Sequence, residues 1–296
     1  MGNLSQQNLR YLAFNHFPEF GAVAFKKIIA TFGSLDGFWQ ADYRDWRRSG
    51  LRIELLAKFS NFRKNFSSDK IIKILEKENI KLLNYEDVDY PWLLKEISSP
   101  PPLLYYQGNI KALKIKNLAI VGSREASPSA ANIIHDLLSP LLIYNIGTVS
   151  GLARGIDALA HRETLRCRGT TTAVMGAGLS RSSFYPRDNY QLYLDILGQG
   201  GLILSEFSPL TPPLKQNFPQ RNRIIAGLSQ AVLVIEAKEK SGSLITASYA
   251  LDCNREVLAV PASISPESPQ GTNELIKQGA RMVTKSQDIL ESLNML

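Results

Sequence analysis

Cysteine is scarce: Cys167 and Cys253, the only two in 296 residues, stand far apart and in no paired spacing. That excludes a disulfide framework and a thiolate zinc site, and it suits a reducing compartment. His16, His135 and His161 are equally isolated, with no HExxH or other ligand spacing, so no metal centre is expected. No apolar run reaches the roughly 18 residues of a membrane span, and MGNLSQQNLRYLAFNHFPEF lacks the charged start and continuous apolar core of a secretion signal. Met1-Gly2 without Ser or Thr at position 6 also misses the myristoylation pattern. GxxxxGK[ST] and GxSxG are both absent, which speaks against a P-loop ATPase and a serine hydrolase. Gly176-Ala177-Gly178 opens like a dinucleotide fingerprint, but the pattern ends in Arg181 and follows a third strand instead of a first. These absences leave a cytoplasmic, globular protein with no cofactor expected.

With 44% hydrophobic residues the chain can fill a large core, as one large domain or two. The net charge of +7 and pI near 9.3 favour an anionic partner. Residues 1–80 hold 13 Lys+Arg against 8 Asp+Glu, leaving 21 against 19 for residues 81–296. An anion site in the larger part therefore depends on local clustering of cations.

From Gln7 to about Leu83 the apolar residues recur at helical spacing, which predicts a bundle of four or five helices over residues 1–80. FPEFGAVAFKKIIATFGS resembles half of a helix-hairpin-helix, with a turn at Gly21, a stop at Gly33 and Lys26 and Lys27 nearby. Glu19 stands where such a hairpin has glycine, and a carboxylate there opposes phosphate. The segment reads as a structural or partner-docking unit, with direct DNA contact as the alternative. Residues 81–116 follow as a proline-rich connector and the first part of the next domain, containing Pro100-Pro101-Pro102 and a short strand at LLYYQG; a polyproline ligand is the other reading.

From Leu118 the pattern changes. The runs LAIVG, GTVS, TTAVMG, LILSE, AVLVIE and EVLAVP alternate with helical stretches. Unbroken apolar strands separated by helices predict an α/β fold, a doubly wound, mostly parallel sheet covered on both faces, over residues 117–296. Ligands bind such a sheet outside the carboxyl ends of its strands. At those ends come Gly122-Ser123-Arg124, Gly151 to Asp157, Gly176-Ala177-Gly178 and Lys238 to Ser243. FPQRNRIIAGLS should begin a helix at the same edge, with Pro219 in its first turn and Arg221, Asn222 and Arg223 beside it. Small residues admit backbone amides, hydroxyls donate and Arg supplies a planar fork, so the loops together read as a phosphate site. Each loop alone is equally well a tight turn. His161 reads as a structural histidine, with a catalytic role as the alternative.

The ordered blocks AIVGSRE, SGLARGIDALAH, AVMGAGL, YP, LILSEF, FPQRNRIIAGLSQAVLVIEAKEKSGSLITASYAL, REVLAVP and GTNELIKQGA resemble the DNA-processing protein A (DprA/Smf) family over residues 84–283. The first 80 residues more loosely resemble that family's SAM-like helical domain. The resemblance implies an extended Rossmann-like fold and a non-enzymatic, dimeric, cytoplasmic protein that binds single-stranded DNA. It implies protection of incoming strands during natural transformation and help in placing the RecA recombinase on them. By similarity Gly122, Ser123, Arg124, Ser150, Gly151 and Arg154 hold backbone phosphates. Lys215, Arg221, Asn222 and Arg223 line a basic pocket, and Phe218 contacts a base or supports that pocket. Lys240, Ser241, Gly242, Ser243 and Thr246 complete it. On this reading, replacing Arg124, Arg221 and Arg223 with Ala weakens binding and leaves folding intact.

Three features depart from the family's pattern: a longer SRSSFYP loop before the YP block, Ala262 in place of a glycine, and an end at Leu296 without a winged-helix-like module. The alternative function is a Rossmann-type enzyme cleaving nucleoside monophosphates with Glu236 as acid, although the PGGxGTxxE motif of that group is missing. A third reading is a scaffold with an empty Rossmann edge.

Overall fold

The structure, a computed structural model, describes residues 4–265 and 268–295. Its first part is helical: α1 (Gln6–Asn15), α2 (Ala22–Phe32), α3 (Leu35–Gln40), α4 (Tyr43–Trp46), α5 (Ile53–Asn65) and α6 (Asp69–Lys77). Local chemistry sets their ends. Ser5 and Ser34 cap α1 and α3 by accepting from the backbone N–H groups of Asn8 and Gly37, and Gly33 stops α2 in the left-handed region at φ 73°. Phe17, Phe20, Phe38, Trp46 and Phe59 interlock around α5, so aromatic packing fills this core.

Helical spacing overreaches at the end of this region. Asn79 takes φ 50°, the chain turns, and Lys81–Asn84 forms β1 rather than a last turn of helix. Pairing settles the matter, because Leu82 and Leu83 lie opposite Tyr105 and Leu104 of β2 (Leu103–Gly108). Between β1 and β2 runs the short α7 (Trp92–Lys95).

Strands and helices then alternate: β3 (Asn117–Val121), α8 (Ala130–Leu142), β4 (Gly147–Ser150), α9 (Ile156–Arg166), β5 (Thr171–Val174), α10 (Tyr190–Gly198) and β6 (Leu202–Ser205). The chain continues through α11 (Asn217–Gly227), β7 (Ala231–Val234), α12 (Gly242–Asp252), β8 (Glu256–Ala259), α13 (Gly271–Lys277), β9 (Arg281–Met282) and α14 (Ser286–Ser292). Among the described residues nine strands form one sheet in the order β1-β2-β6-β5-β4-β3-β7-β8-β9. Only β2 opposes its neighbours; from β6 to β9 every pair is parallel.

The fully apolar strands follow from burial on both faces. Leu118, Ile120 and Leu233 meet α8, α9 and α14 on one face; Ala119, Val121, Val232 and Val234 meet α11 and α12 on the other. The α1–α6 core continues through Leu103 and Tyr105 onto α9 and α10, so the helical segment is packed against the sheet. The strand order reverses between β3 and β7: β3 is followed by β4 on one side, while β7 is followed by β8 on the other. Diverging connections at that point open a crevice at the carboxyl edge.

Candidate functional site

A cavity of about 740 Å³ occupies that crevice. Gly122 to Glu125 after β3 form one wall, and Lys238 with Lys240 to Ser243 after β7 form the facing one. The first turns of α11 supply Phe218, Pro219, Arg221 and Asn222, with Lys215 just ahead of them. Tyr185, from the loop between β5 and α10, closes one end. The helix of FPQRNR starts at Asn217, two residues before Pro219, so Phe218 and Pro219 sit in its first turn.

The walls are braced by backbone contacts. Ser123 Oγ accepts from the Glu125 N–H at 3.1 Å, and the Ile156 N–H donates to the Ser123 carbonyl at 3.0 Å. Gly155 is obligatory here: its φ is +74°, and a Cβ would strike the backbone of Ser123 and Arg124. Across the crevice Ser241 caps α12 by accepting from the Ser243 N–H at 3.1 Å, so that helix presents its positive end to the cavity.

Exposed cations line this space. Arg124 lies over the Phe218 ring, 5.7 Å from guanidinium carbon to centroid, and Tyr185 meets the same ring edge-to-face at 5.9 Å. The Lys238 ammonium is 2.6 Å from Glu125, an exposed pair whose ammonium holds the carboxyl below its usual range by hydrogen bond and charge. Lys215 and Lys240 are also exposed.

Arg221 differs. It is only 4% exposed, and its Nη1 donates to the carbonyls of Gly151, at 2.8 Å, and Val174. Burial pushes its pKa down to about 10, so it remains charged at neutral pH. Its Nε donates to Asn222 Oδ1 at 3.1 Å, and the Asn222 amide donates to the Gly242 carbonyl at 3.2 Å. Asn222 thus ties α11 to the start of α12. Buried Asp157 accepts from the Gly151 N–H at 3.0 Å; burial raises its pKa, and the Arg221 charge opposes that rise. His161 bonds Thr171 through Nδ1 at 2.7 Å, and burial, followed by the Arg221 charge, pushes its pKa down to about 3. His161 is therefore neutral and lies outside the cavity lining.

Four residues expected at the site do not line this cavity. Ser150 is buried and donates to the Ile120 carbonyl at 2.6 Å; Gly151 lies beneath Arg221. Arg154 points outward and pairs with Asp188 at 2.7 Å. Arg223 pairs with buried Glu206 on the other side of α11. Residues two apart on an α-helix project about 200° apart, so Arg221 and Arg223 cannot share a wall. The expectation that both arginines can be removed without touching the fold is corrected by their burial. Gly122, Ser123, Arg124, Lys215, Phe218, Lys240, Ser241, Gly242, Ser243 and Thr246 all line the cavity, together with Arg221 and Asn222.

Tyr185 and Glu125 also line it without having been singled out in the sequence, as do Asp157 and Lys238, which the sequence placed in the edge loops without a role of their own. Lys238 shares a turn with Lys240, and Tyr185 belongs to the YP block, so both had a local signal. Glu236, which a nucleotide-cleaving enzyme would use as acid, instead accepts from the backbone and hydroxyl of Ser127 and lies outside the lining.

Comparison with known proteins agrees with this architecture. Residues 81–294 match the family model described as DNA recombination-mediator protein A. The chain belongs to that family. Protein Smf of Synechocystis is 38% identical over 288 residues, covering 96% of this chain and 72% of the relative. DNA processing protein DprA of Streptococcus pneumoniae is 45% identical over 218 residues, covering 73% and 76%. The solved structure of DNA processing protein A from Streptococcus pneumoniae superposes with a TM-score of 0.83 at 36% identity, over 98% of both chains. A second family structure, that of Helicobacter pylori, was solved for its single-stranded DNA binding mode; it matches with a TM-score of 0.64 at 29% identity, over 73% of this chain and 97% of its own. Among the described residues no helix is long and apolar enough to cross a membrane.

Proposed function

We propose that this protein binds single-stranded DNA stoichiometrically in the crevice between β3 and β7 and acts as a recombination mediator. The observation that carries the reading is the stack of Arg124 on Phe218 beside Tyr185, surrounded by exposed Lys215, Lys238 and Lys240. Cations and the α12 N-terminus suit backbone phosphates, and aromatic rings suit unpaired bases. Phosphate contacts carry no sequence information, so binding is sequence-tolerant and weakens with salt.

In this reading residues 117–296 hold the strand, residues 81–116 connect and form the first part of the same α/β domain, and the helical residues 1–80 support or dock. The protein is a cytoplasmic homodimer through its α/β part, protects incoming strands during transformation and helps RecA assemble on them. The Helicobacter pylori relative, whose structure describes a single-stranded DNA binding mode, supports the strand-binding reading. Of the two carboxylates lining the cavity, Asp157 is buried and bonded to backbone, and Glu125 is paired with Lys238.

Fluorescence anisotropy with short single- and double-stranded oligonucleotides at two salt concentrations tests the proposal. The single strand should bind more tightly, with affinity falling steeply as salt rises, and Arg124→Ala should weaken every sequence alike. Salt-independent binding, or equal binding by Arg124→Ala, would refute the site. RecA's DNA-dependent ATPase on the same strands, with and without this protein, tests the mediator role.

A further inference from the structure

Among the described residues none of 4–80 lines the cavity, yet two loops that do line it are tied to that helical segment. The first runs from β5 to α10 and carries Tyr185; the second runs from β6 to α11 and carries Lys215. Asn15 Nδ2 donates to the Glu206 carbonyl at 3.2 Å and His16 Nε2 bonds Ser208 Oγ at 2.8 Å, which fixes the start of the second loop. The two loops also pair with each other. The Gly178 N–H donates to the Thr211 carbonyl at 2.9 Å, and the Ser180 N–H to the Pro209 carbonyl at 3.0 Å.

The first loop is held from the end of α6. Glu78, directly after the last residue of that helix, accepts from the Ser180 hydroxyl at 2.7 Å through Oε1 and from the Arg181 N–H at 2.8 Å through Oε2. Both donors belong to SRSSFYP, the loop longer than the family's pattern. A carboxylate at a helix C-terminus opposes the macrodipole, which favours cations there, so α6 gains nothing from Glu78 and the loop does. The helix end is itself moored: the Gln107 amide donates to the Glu78 carbonyl, and the Tyr193 hydroxyl donates to Gln107 in turn.

From Arg181 direct contacts run to the cavity. The Arg181 guanidinium lies 5.4 Å over Tyr190, Phe184 packs edge-to-face against Tyr190 and Tyr193 at 5.1 Å each, and Tyr185, the next residue, meets Phe218 at 5.9 Å. Phe218 is the ring beneath Arg124. We infer that Glu78 is a positioning residue for strand binding: it fixes the SRSSFYP loop so that Tyr185 stands against Phe218 before the strand arrives. The helical segment thereby shapes a site that it does not line. This rests on the strand-binding reading above and gives residues 1–80 a part in it, because a loop ordered in advance lowers the cost of binding.

Charge and position predict opposite signs. Removing a carboxylate from a protein that binds a polyanion strengthens binding if charge alone acts, whereas releasing a positioned loop weakens it. In anisotropy titrations of the full chain with an oligothymidylate, Glu78→Ala should bind roughly three- to tenfold more weakly with an unchanged salt slope, since no phosphate contact is lost. Glu78→Gln should bind as the wild type does, because its amide still accepts from the Arg181 N–H and can donate to Ser180 Oγ. In a Tyr185→Ala background Glu78→Ala should cost nothing further, whereas a purely structural loss would add. Circular dichroism and urea midpoints report the fold of each variant. Binding by Glu78→Ala as tight as the wild type's or tighter overturns the inference, as does equal weakening by Glu78→Gln or an undiminished loss in the Tyr185→Ala background. Arg124→Ala is measured alongside: weakening there with Glu78→Ala unaffected leaves the strand site standing and removes only the role of Glu78. A wild type that binds no oligomer overturns both readings.

Discussion

The guanidinium of Arg221 donates through Nη1 to the carbonyl oxygen of Gly151 at 2.8 Å, which joins α11 to the loop that follows β4. The same nitrogen reaches the Val174 carbonyl at the end of β5. A side chain read as a phosphate ligand is therefore also a clamp across strand ends, while its charge sits at the cavity floor.

Arg221 and Arg124 should consequently behave differently on replacement. Arg221→Ala leaves two buried carbonyls without their donor and removes the charge facing Asp157, which should cost about 3 kcal/mol of stability. Arg124→Ala removes an exposed cation and should change stability by less than about 0.5 kcal/mol. Its affinity for single-stranded DNA should nonetheless fall at least roughly tenfold. Urea denaturation beside a binding titration separates the two; equal stability of the variants would contradict the clamp.

Glycines around the cavity divide by what surrounds them. Gly155→Ala forces an L-residue to φ +74° and drives a Cβ into the backbone of Ser123 and Arg124, so it should cost about 1–3 kcal/mol and displace the wall that holds Arg124. At Gly242 a methyl group would meet nothing within 4 Å and φ is not positive, so Gly242→Ala should leave the melting temperature unchanged. If Gly242→Ala still weakens strand binding, the ligand itself approaches that backbone. Loss of stability in Gly242→Ala, or none in Gly155→Ala, would contradict this division.

The sheet was legible because its strands are buried on both faces: LAIV, GTVS and AVLV carry no alternation and are bounded by small-residue turns. The cavity loops were legible for the same reason, since a doubly wound sheet brings its carboxyl-end connections to one edge. Lys81–Asn84 was not, because KLLN is too short to distinguish strand from helix and its partner β2 lies about twenty residues on. Burial of Arg221 was hidden too: no local pattern reveals that the carbonyls of Gly151 and Val174 lie within its reach. The separation of Arg223 from Arg221 was available in principle from helical period alone, but its partner Glu206 comes from a loop before the helix.

Acid sensitivity should trace in part to His161. In the unfolded chain its pKa is near the ordinary 6.5, whereas burial pushes the folded value down to about 3. Between those values the unfolded state binds a proton that the folded state refuses, so stability falls as pH drops from about 6.5 towards about 3. Asp157 and Glu206 act oppositely: burial raises both, and the folded state keeps protons there that the unfolded chain has released. A His161→Gln variant isolates the first effect. Its loss of stability between about pH 7.5 and about pH 5 should be smaller than the wild type's by up to about 2 kcal/mol. Parallel urea midpoints for the two proteins at both pH values would contradict this assignment.

Charge at the cavity rim makes the last prediction, and it has opposite signs for two neighbours. Lys215 is exposed at the mouth of the cavity, so Lys215→Ala should weaken binding to all sequences and lower the salt slope by about one unit. Glu125 instead occupies the Lys238 ammonium at 2.6 Å and places a carboxylate in a phosphate-seeking space. Glu125→Gln should free Lys238 and remove that repulsion, so affinity should rise severalfold at low salt, with the gain shrinking as salt screens the rim. Anisotropy titrations of both variants across a salt series read the two effects together. A weaker Glu125→Gln complex would mean that the pair with Lys238 organises the rim instead of limiting it.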